Sequence, residues 1–436
     1  MERSIRAVIL GTFTLRFSSG LTGALLVFYL ARLHTAHGGP EVNAFTLGVM
    51  GALFYIAELV LSPFFGVFSD RLGHRRVMQF GPIFGAIAVI MTGLTTDLFV
   101  LGTTRWLEGA STAASIPSIL GFLAVVTAND ERLRGQVSAR FEAATVAGLG
   151  AGIAVAGPMY LAFGANAFFI NAVFYIGSLL IYRYGVADPE GDAPRAGQHG
   201  PGFRRYMQLL RSSHVWLLAP TWIAINAAIG LWVGGQSIFQ LVKQRDPRFQ
   251  DQLLMGGFGE LQVTAGIVVA GVVFFAGIKY WGDRFRKYRR TTIILYGILG
   301  GAAMVAAGIA LNHSATTPAV LQIGYALVLA VGLFVLAGAT PAALGLLADI
   351  SEAFPRDRGA IMGLYSVFLA IGQIIGHLVG GEAASLRGID GMFVATLILL
   401  GVALLPLFQL RLFEHRFTPG PGGPQPSAEQ LGAAPD

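Results

Sequence analysis

The sequence contains no cysteine and few charged residues. The absence of cysteine excludes disulfides, thiol catalysis and metal sites with sulfur ligands. Charged residues make up 12% of the 436 positions, about half the share typical of a globular domain. The 30 Lys and Arg exceed the 24 Asp and Glu by only six. In so apolar a chain, this excess indicates basic cytoplasmic loops rather than binding of nucleic acid.

Apolar residues dominate the composition instead. They make up 54% of the chain, and the mean hydropathy is +0.64. This share is about 235 residues, close to the roughly 240 that twelve membrane spans of about 20 residues need. The first apolar stretch, Ala7–Leu33, is too long for a signal-peptide core and lacks a small-residue cleavage site. The composition therefore predicts a polytopic membrane protein.

The apolar residues form continuous runs rather than short alternating segments, which predicts helices and not a β-barrel. We expect an all-α membrane protein of two pseudo-symmetric six-helix halves. The twelve predicted transmembrane helices lie at residues 7–33, 44–68, 77–96, 98–126, 136–163, 166–186, 213–241, 256–281, 291–311, 318–348, 359–382 and 389–413.

A polar segment rich in proline and glycine separates the two sets of six helices. We interpret residues 187–212 as a cytoplasmic linker between an N-terminal half, 1–186, and a C-terminal half, 213–416. Residues 417–436 have no periodicity and are predicted to form a disordered tail. The halves also resemble each other, which is typical of transporters. Three glycines of the fifth span fall opposite three of the eleventh: Gly148, Gly152 and Gly157 opposite Gly372, Gly376 and Gly381.

The distribution of basic residues predicts the orientation. If both termini lie inside, the inner segments hold 23 Lys and Arg and the outer loops hold five. Cytoplasmic loops are enriched in Lys and Arg. We therefore expect a multi-pass protein of the cell membrane with both termini in the cytoplasm.

The loop between spans 2 and 3 contains a motif with fixed spacing. It reads Gly66-Val-Phe-Ser-Asp70-Arg71-Leu-Gly73-His74-Arg75-Arg76. This resembles the signature G-x-x-x-D-R-x-G-R-R of the major facilitator superfamily, with His74 in place of one basic residue. The resemblance implies a secondary transporter that works by alternating access, and it makes this segment a gating loop. From the residues themselves, Gly66 would permit close helix approach and Gly73 would permit a turn.

Span 4 contains a second motif. The segment from Leu101 to Gly109 is similar to the family pattern L-x-x-x-R-x-x-Q-G, with Arg105 in the pattern and Glu108 in place of glutamine. An arginine inside a span is costly and is a functional candidate. The alternative is structural, because residues three apart on a helix can neutralise each other.

Five charged residues fall near the middle of predicted spans in the N-terminal half: Arg16, Glu58, Arg105, Glu108 and Glu142. Two arginines can pair with only two carboxylates. Glu108 is the expected partner of Arg105, and Arg16 can take either Glu58 or Glu142. We predict that Glu142 carries the coupling proton, with Glu58 as the alternative and a structural role for both as the third possibility.

The C-terminal half offers neutral polar and aromatic groups instead. We predict that Asn226, Gln236 and Gln240 share one helix face, because their separations of 10 and 4 match the helical repeat. A cavity charged on one wall and apolar on the other suits an amphipathic organic molecule. The predicted substrate-cavity residues are Asn226, Trp232, Gln236, Gln240, Gln322, Ser366 and Gln373.

Span 11 has the glycine spacing of the family's antiporter motif, but His377 stands where proline belongs. This favours export only weakly, and tight helix packing is the other explanation. The leading hypothesis is proton-coupled efflux of an amphipathic drug-like molecule or metabolite. The alternatives are a lipid or glycolipid flippase, uptake of an organic solute, and a non-transporting scaffold of the same fold.

The sequence lacks motifs for binding a cofactor and for catalysis. There is no phosphate-binding loop for ATP and no visible nucleophile–base arrangement, so we expect no cofactor, no metal and no enzymatic activity. The expected partners are a small organic substrate, protons and the lipid bilayer, and the expected state is a monomer. Sodium in place of protons remains an open alternative.

Overall fold

The computed structural model describes residues 2–127, 131–187, 215–233, 235–243, 246–285, 287–352 and 358–417, and the regular elements in these ranges are helices. They are α1 (Glu2–His37), α2 (Ala44–Leu72), α3 (His74–Val77), α4 (Phe80–Leu94), α5 (Leu98–Val126), α6 (Glu131–Phe163), α7 (Ala167–Gly185), α8 (Val215–Val233), α9 (Gln236–Val242), α10 (Glu260–Gly282), α11 (Arg290–Asn312), α12 (Ala319–Leu336), α13 (Ala339–Glu352) and α14 (Arg358–Phe417).

Side-chain caps explain where two of the long helices begin. Asn43 accepts a hydrogen bond from the Thr46 N–H at 2.8 Å and starts α2, and Asp97 accepts one from the Val100 N–H at 2.9 Å and starts α5. Such caps satisfy backbone donors that have no partner within the helix.

Ten segments of the described chain are long and apolar enough to cross a membrane. Two of them, of 50 and 47 residues, contain an interruption. A 3₁₀ turn at Gly164–Asn166 separates α6 from α7, and α14 loses helical geometry at Arg387 and Gly388. The all-helical membrane fold is therefore confirmed, and the count of twelve spans stays a prediction.

Two predicted spans are each divided into two helices. The first is interrupted between Val233 and Gln236, where Gly235 has a φ of 88°. The second is interrupted between Leu336 and Ala339, where a side chain at Gly338 would meet the Trp281 ring at 2.6 Å. Both interruptions lie inside continuous apolar runs, so hydropathy alone does not reveal them.

The described helices divide into two compact units. The first contains α1 to α7 with the short segments Leu241–Gln244 and Gly257–Val268, and the second contains the rest of α9 and α10 and the other described helices. Helix α10 therefore begins in the first unit and continues in the second. The predicted linker, 187–212, and the predicted tail, 417–436, lie almost entirely outside the described residues. The predicted boundaries of the halves stay a prediction.

Glycines hold two pairs of helices in backbone contact. In the first unit, a Cβ at Gly148 would meet the Arg16 Cβ at 3.0 Å, and one at Gly152 would meet the Leu21 backbone nitrogen at 2.7 Å. The second unit repeats this arrangement between α8 and α14. Hypothetical Cβ atoms at Gly372 and Gly376 would meet the Asn226 Cβ and the Leu231 backbone nitrogen at 2.5 and 2.9 Å. These glycines therefore have a packing role.

Apolar side chains fill the interior of the first unit and also cover much of the outer surface. The interior includes Val8 and Leu15 of α1, Phe122 of α5 and Tyr175 of α7. Other large apolar side chains are exposed on the outside of the protein, for example Phe99, which is 85% exposed. A surface of this kind is stable in lipid, where exposed apolar side chains carry no hydration cost.

Candidate functional site

A charged cluster lies inside the first unit, where α1, α2 and α5 contribute Arg16, Glu58, Arg105 and Glu108. Arg105 and Glu108 form an ion pair within α5, and both side chains are largely buried. The Arg105 guanidinium also lies 5.0 Å from the centre of the Phe54 ring on α2. The pair predicted from the spacing of three residues is therefore present, and a cation–π contact ties it to the neighbouring helix.

Arg16 interacts electrostatically with Glu58, across from α1 to α2. Tyr55, one turn before Glu58, lies within electrostatic reach of Glu58, Arg16 and Arg105. It therefore links the two charge pairs into one cluster. Tyr55 is not among the residues predicted for the site, although its position three residues before Glu58 places both on one side of α2.

Tyr175 of α7 is the second residue that sequence analysis missed. Its hydroxyl lies 3.5 Å from the Ser19 Oγ on α1, and its ring is fully buried. It also interacts electrostatically with Glu108 and Arg105. No sequence pattern connects Tyr175 to span 4, because only the packing of α7 brings it there.

Small residues bring these helices together. A Cβ at Gly109, next to Glu108, would meet the Ala57 Cβ of α2 at 2.7 Å. The glycine at 148 allows α6 to approach the backbone of α1 beside Arg16. The cluster therefore depends on two sites of close helix approach, of which Gly109 belongs to the motif in span 4.

The fifth predicted charge, Glu142, forms no hydrogen bond or ion pair with the residues of this cluster. It is exposed on α6, six residues before Gly148, and has no hydrogen bond or ion pair within the described part of the chain. The structure thus brings four of the five predicted charges together and leaves Glu142 without a partner there.

The predicted gating loop forms a tight connection between α2 and α3. Gly73 has a φ of 92°, as the turn requires, and its N–H donates to the Ser69 carbonyl oxygen at 3.1 Å. His74, the residue that departs from the family signature, is buried, and its Nδ1 lies 2.6 Å from the Ser69 Oγ. A side chain at Gly121 of α5 would meet the His74 Nε2 at 2.7 Å. His74 therefore packs as part of the loop's support.

The charged residues of the loop differ in their contacts. Arg75 donates to the Arg183 carbonyl oxygen at 2.7 Å, near the end of α7. Asp70, Arg71 and Arg76 are exposed, and Asp70 forms no ion pair among the described residues. At Gly66, a Cβ would meet only Pro117 at 3.9 Å, which is ordinary contact. The structure therefore gives no packing reason for glycine at position 66.

Asn226, Gln236 and Gln240 do not lie on one continuous helix, because the chain is interrupted between Val233 and Gln236. All three nevertheless contact α14, so their predicted common face stays a prediction. Gln236 Nε2 donates to the His377 carbonyl oxygen at 3.0 Å, and Gln240 Nε2 donates to that of Ala384 at 3.2 Å. Both glutamines are fully buried. They join α9 to α14 and, in this conformation, do not line an open cavity.

The remaining predicted cavity residues lie in different surroundings. Asn226 is buried and donates to the Trp222 carbonyl oxygen at 2.9 Å, and the Trp232 indole donates to the Thr396 Oγ1 at 2.9 Å. Gln373 is buried beside Gly230.

The last two predicted cavity residues, Gln322 and Ser366, lie at a helix end and on the surface, respectively. Gln322 lies in the first turn of α12, where its amide donates to the Ser314 carbonyl oxygen at 2.7 Å, so its predicted position near the middle of a span is wrong. Ser366 is exposed on α14.

A second polar cluster of the first unit lies where α1 ends and α10 begins. Arg32 Nη2 lies 2.7 Å from Glu260 Oε1. Tyr160 interacts electrostatically with both Arg32 and Glu260, and its hydroxyl lies 3.5 Å from His37 Nε2. Gly157 of α6 packs against Thr264. The sequence does not connect Arg32 with Glu260, because the two residues lie on helices that are far apart along the chain.

Comparison with known proteins identifies the family. The model of the Major Facilitator Superfamily matches residues 8–349 and 258–434. The chain belongs to this superfamily. It is a multi-pass membrane protein. The family that its loop motif indicated is therefore confirmed.

Relatives in this superfamily match most of the chain. "Multidrug resistance protein 2" of Bacillus subtilis is 24% identical over 349 residues, which cover 78% of this chain and 80% of that protein. "Quinolone resistance protein NorA" of Staphylococcus aureus is 21% identical over 390 residues, covering 87% and 90%.

Solved structures show the same fold. The nucleoside transporter NupG aligns with a TM-score of 0.71 at 14% identity, covering 94% of this chain and 99% of that one. The human organic anion transporter MFSD10 aligns with a TM-score of 0.62 at 18% identity and covers the same shares.

Proposed function

We propose that this superfamily member exports amphipathic organic molecules in exchange for protons, by alternating access of its two halves. Its relatives include proteins named for multidrug and quinolone resistance, which supports export of drug-like compounds. The charged cluster offers ionic contacts within an otherwise apolar helix bundle. Protons and the organic substrate are the proposed partners.

The observation that supports proton coupling at Glu142 is that Glu58 and Glu108 each have an arginine partner, whereas Glu142 has none among the described residues. Arg105 forms an ion pair with Glu108, and Arg16 interacts electrostatically with Glu58. Each arginine therefore has a carboxylate of opposite charge near it. Glu142 has no such partner among the described residues. Of Glu58, Glu108 and Glu142, only Glu142 has no arginine partner among the described residues. On this basis we assign the coupling proton to Glu142, with Glu58 as the alternative.

We further propose that the protein resides in the cell membrane with both termini in the cytoplasm. The asymmetry of Lys and Arg between the predicted inner and outer segments supports this orientation. It places the loop of Asp70 on the cytoplasmic side and the Arg32–Glu260 pair on the opposite side.

The test is transport by purified protein in proteoliposomes with an imposed pH gradient, an imposed sodium gradient, or neither. The substrate panel consists of amphipathic dyes, quinolones, lipids and sugars. We expect dyes or quinolones to move against their gradient only when the pH gradient is present. Accumulation driven by sodium alone would contradict proton coupling, and movement of lipids alone would contradict drug export.

The variant Glu142→Gln separates coupling from binding. We expect it to abolish accumulation driven by the pH gradient while substrate binding and downhill exchange continue, because the proton site is lost and the substrate site is not. Glu41→Gln, at an exposed carboxylate between α1 and α2, is the matched control and should behave as the unsubstituted chain. Normal accumulation by Glu142→Gln with loss in Glu58→Gln would move the proton site to α2.

A further inference from the structure

The second unit has an apolar groove on its surface that contains none of the proposed transport residues. It has a volume of about 560 Å³ and lies between α11 and α12, with Trp281 of α10 beside it. Its lining residues are Trp281, Tyr296, Leu299, Gly300, Ala303, Leu327, Val328, Val331, Gly332 and Val335.

The groove is open to its surroundings along its length. Val331 is 62% exposed, and Leu299 and Leu327 are similarly open. Gly300 and Gly332 keep α11 and α12 close, because a Cβ at Gly300 would meet the Val335 Cβ at 2.6 Å. The groove walls on α12 run from Leu327 to Val335, about 12 Å along the helix axis. An elongated, apolar and lipid-facing groove fits an acyl chain.

Aromatic rings surround one end of the groove. The rings of Trp281, Tyr288 and Tyr296 have pairwise centroid distances of 6.0 to 6.3 Å. Tyr280 packs against Trp281 at 5.4 Å. Tyrosine and tryptophan concentrate at the level of lipid headgroups. This end of the groove therefore lies at a membrane–water interface.

Cationic side chains lie beside the same rings. The Arg284 guanidinium is 3.5 Å from the centre of the Tyr280 ring, and Lys287 Nζ is 5.5 Å from that of Tyr288. Neither forms an ion pair among the described residues. The segment 279–290 contains six Lys or Arg and one acidic residue in its sequence. Positive charge therefore adjoins an acyl-sized groove, where a negative headgroup would lie.

We propose that this groove binds an anionic phospholipid of the surrounding bilayer. One acyl chain lies between α11 and α12, the glycerol region lies at the Trp281–Tyr296 rings, and the phosphate lies beside Arg284 and Lys287. The lipid is a bound component and not the transported substrate, because the groove opens outward and shares no residue with the charged cluster.

The test uses vesicles of phosphatidylcholine that contain a minor fraction of brominated phosphatidylglycerol or brominated phosphatidylcholine. Bromine quenches tryptophan fluorescence at short range, and the part due to Trp281 is the part lost in Trp281→Phe. We expect phosphatidylglycerol to quench this part at a clearly lower fraction than phosphatidylcholine. Arg284→Gln and Lys287→Gln should each reduce the preference about fivefold, because one cation near an anionic lipid contributes about that factor.

Matched variants separate the groove from general contact with the bilayer. Val331→Phe should fill the groove and weaken quenching by both lipids, whereas Val402→Phe, on a similarly exposed face of α14, should not. Arg411→Gln controls for the loss of one positive charge elsewhere. Equal quenching by the two lipids, or a preference that survives in the double variant of Arg284 and Lys287, would overturn the proposal.

Discussion

The substitution Glu260→Gln should loosen the contact between the end of α1 and the start of α10. Arg32 Nη2 lies 2.7 Å from Glu260 Oε1, with side chains 42% and 11% exposed. Glu260 also lies in the first turn of α10, where a carboxylate interacts favourably with the positive end of the helix dipole. Glutamine keeps the size of the side chain and removes both charge interactions.

The magnitude follows from these two contributions. A half-exposed ion pair contributes up to about 1 kcal/mol, and a charge at a helix terminus contributes roughly 0.3–1 kcal/mol. The exposure of Arg32 keeps the first contribution near the low end of its range. Together they give roughly 0.5–1.5 kcal/mol, which corresponds to a roughly two- to twelvefold larger population of conformations in which Arg32 and Glu260 are apart.

The assay uses the absence of native cysteine. Val263 is 4% exposed, so a single Val263→Cys should react with a membrane-impermeant maleimide only when this region opens. We expect Glu260→Gln to raise the labelling rate by the factor above. Arg32→Gln removes only the ion pair and should raise the rate less, and the double variant should not exceed Glu260→Gln.

Glu2→Gln, which disrupts the exposed Arg6–Glu2 pair at the other end of α1, is the matched control. An unchanged rate in Glu260→Gln, or an equal rise in Glu2→Gln, would refute the reasoning.

Three further predictions concern the loop, the cluster and the helix contacts. Asp70→Asn should slow transport at equal membrane abundance, since it changes the charge balance of the loop, and an unchanged turnover rate in proteoliposomes would exclude a gating role. Arg105→Lys should lower transport roughly tenfold, because lysine lacks the planar group that contacts Glu108 and the neighbouring ring, and normal turnover would mean that charge alone suffices. Gly376→Leu should destabilise the protein by about 1–3 kcal/mol through overpacking, measured as a lower midpoint of thermal unfolding, whereas Gly266→Leu, where the structure leaves open space, should have little effect.

Most of the helices were predictable because hydropathy reports long apolar runs directly. The fourth predicted span matches Leu98–Val126, where an aspartate marks the start. The breaks after Val233 and Leu336 were not predictable, since they depend on backbone geometry and neighbouring rings within apolar sequence.

The candidate site was predictable only for contacts within one helix. The pairing of Arg105 with Glu108 follows from their spacing on α5. The sequence does not predict that Arg16 interacts with Glu58 rather than with Glu142, because this depends on how separate helices pack. For the same reason, Tyr175 could not be connected with the cluster.

The glycine contacts described for the two units also bear on the history of the chain. Gly148 meets α1 beside Arg16, and Gly372 meets α8 beside Asn226, with the same surrounding backbone atoms in each case. This match is expected of two halves that arose by duplication, which would make Arg16 and Asn226 equivalent positions. The two pairs of helices then share one way of packing, whereas the equivalent side chain is ionic in the first unit and neutral in the second.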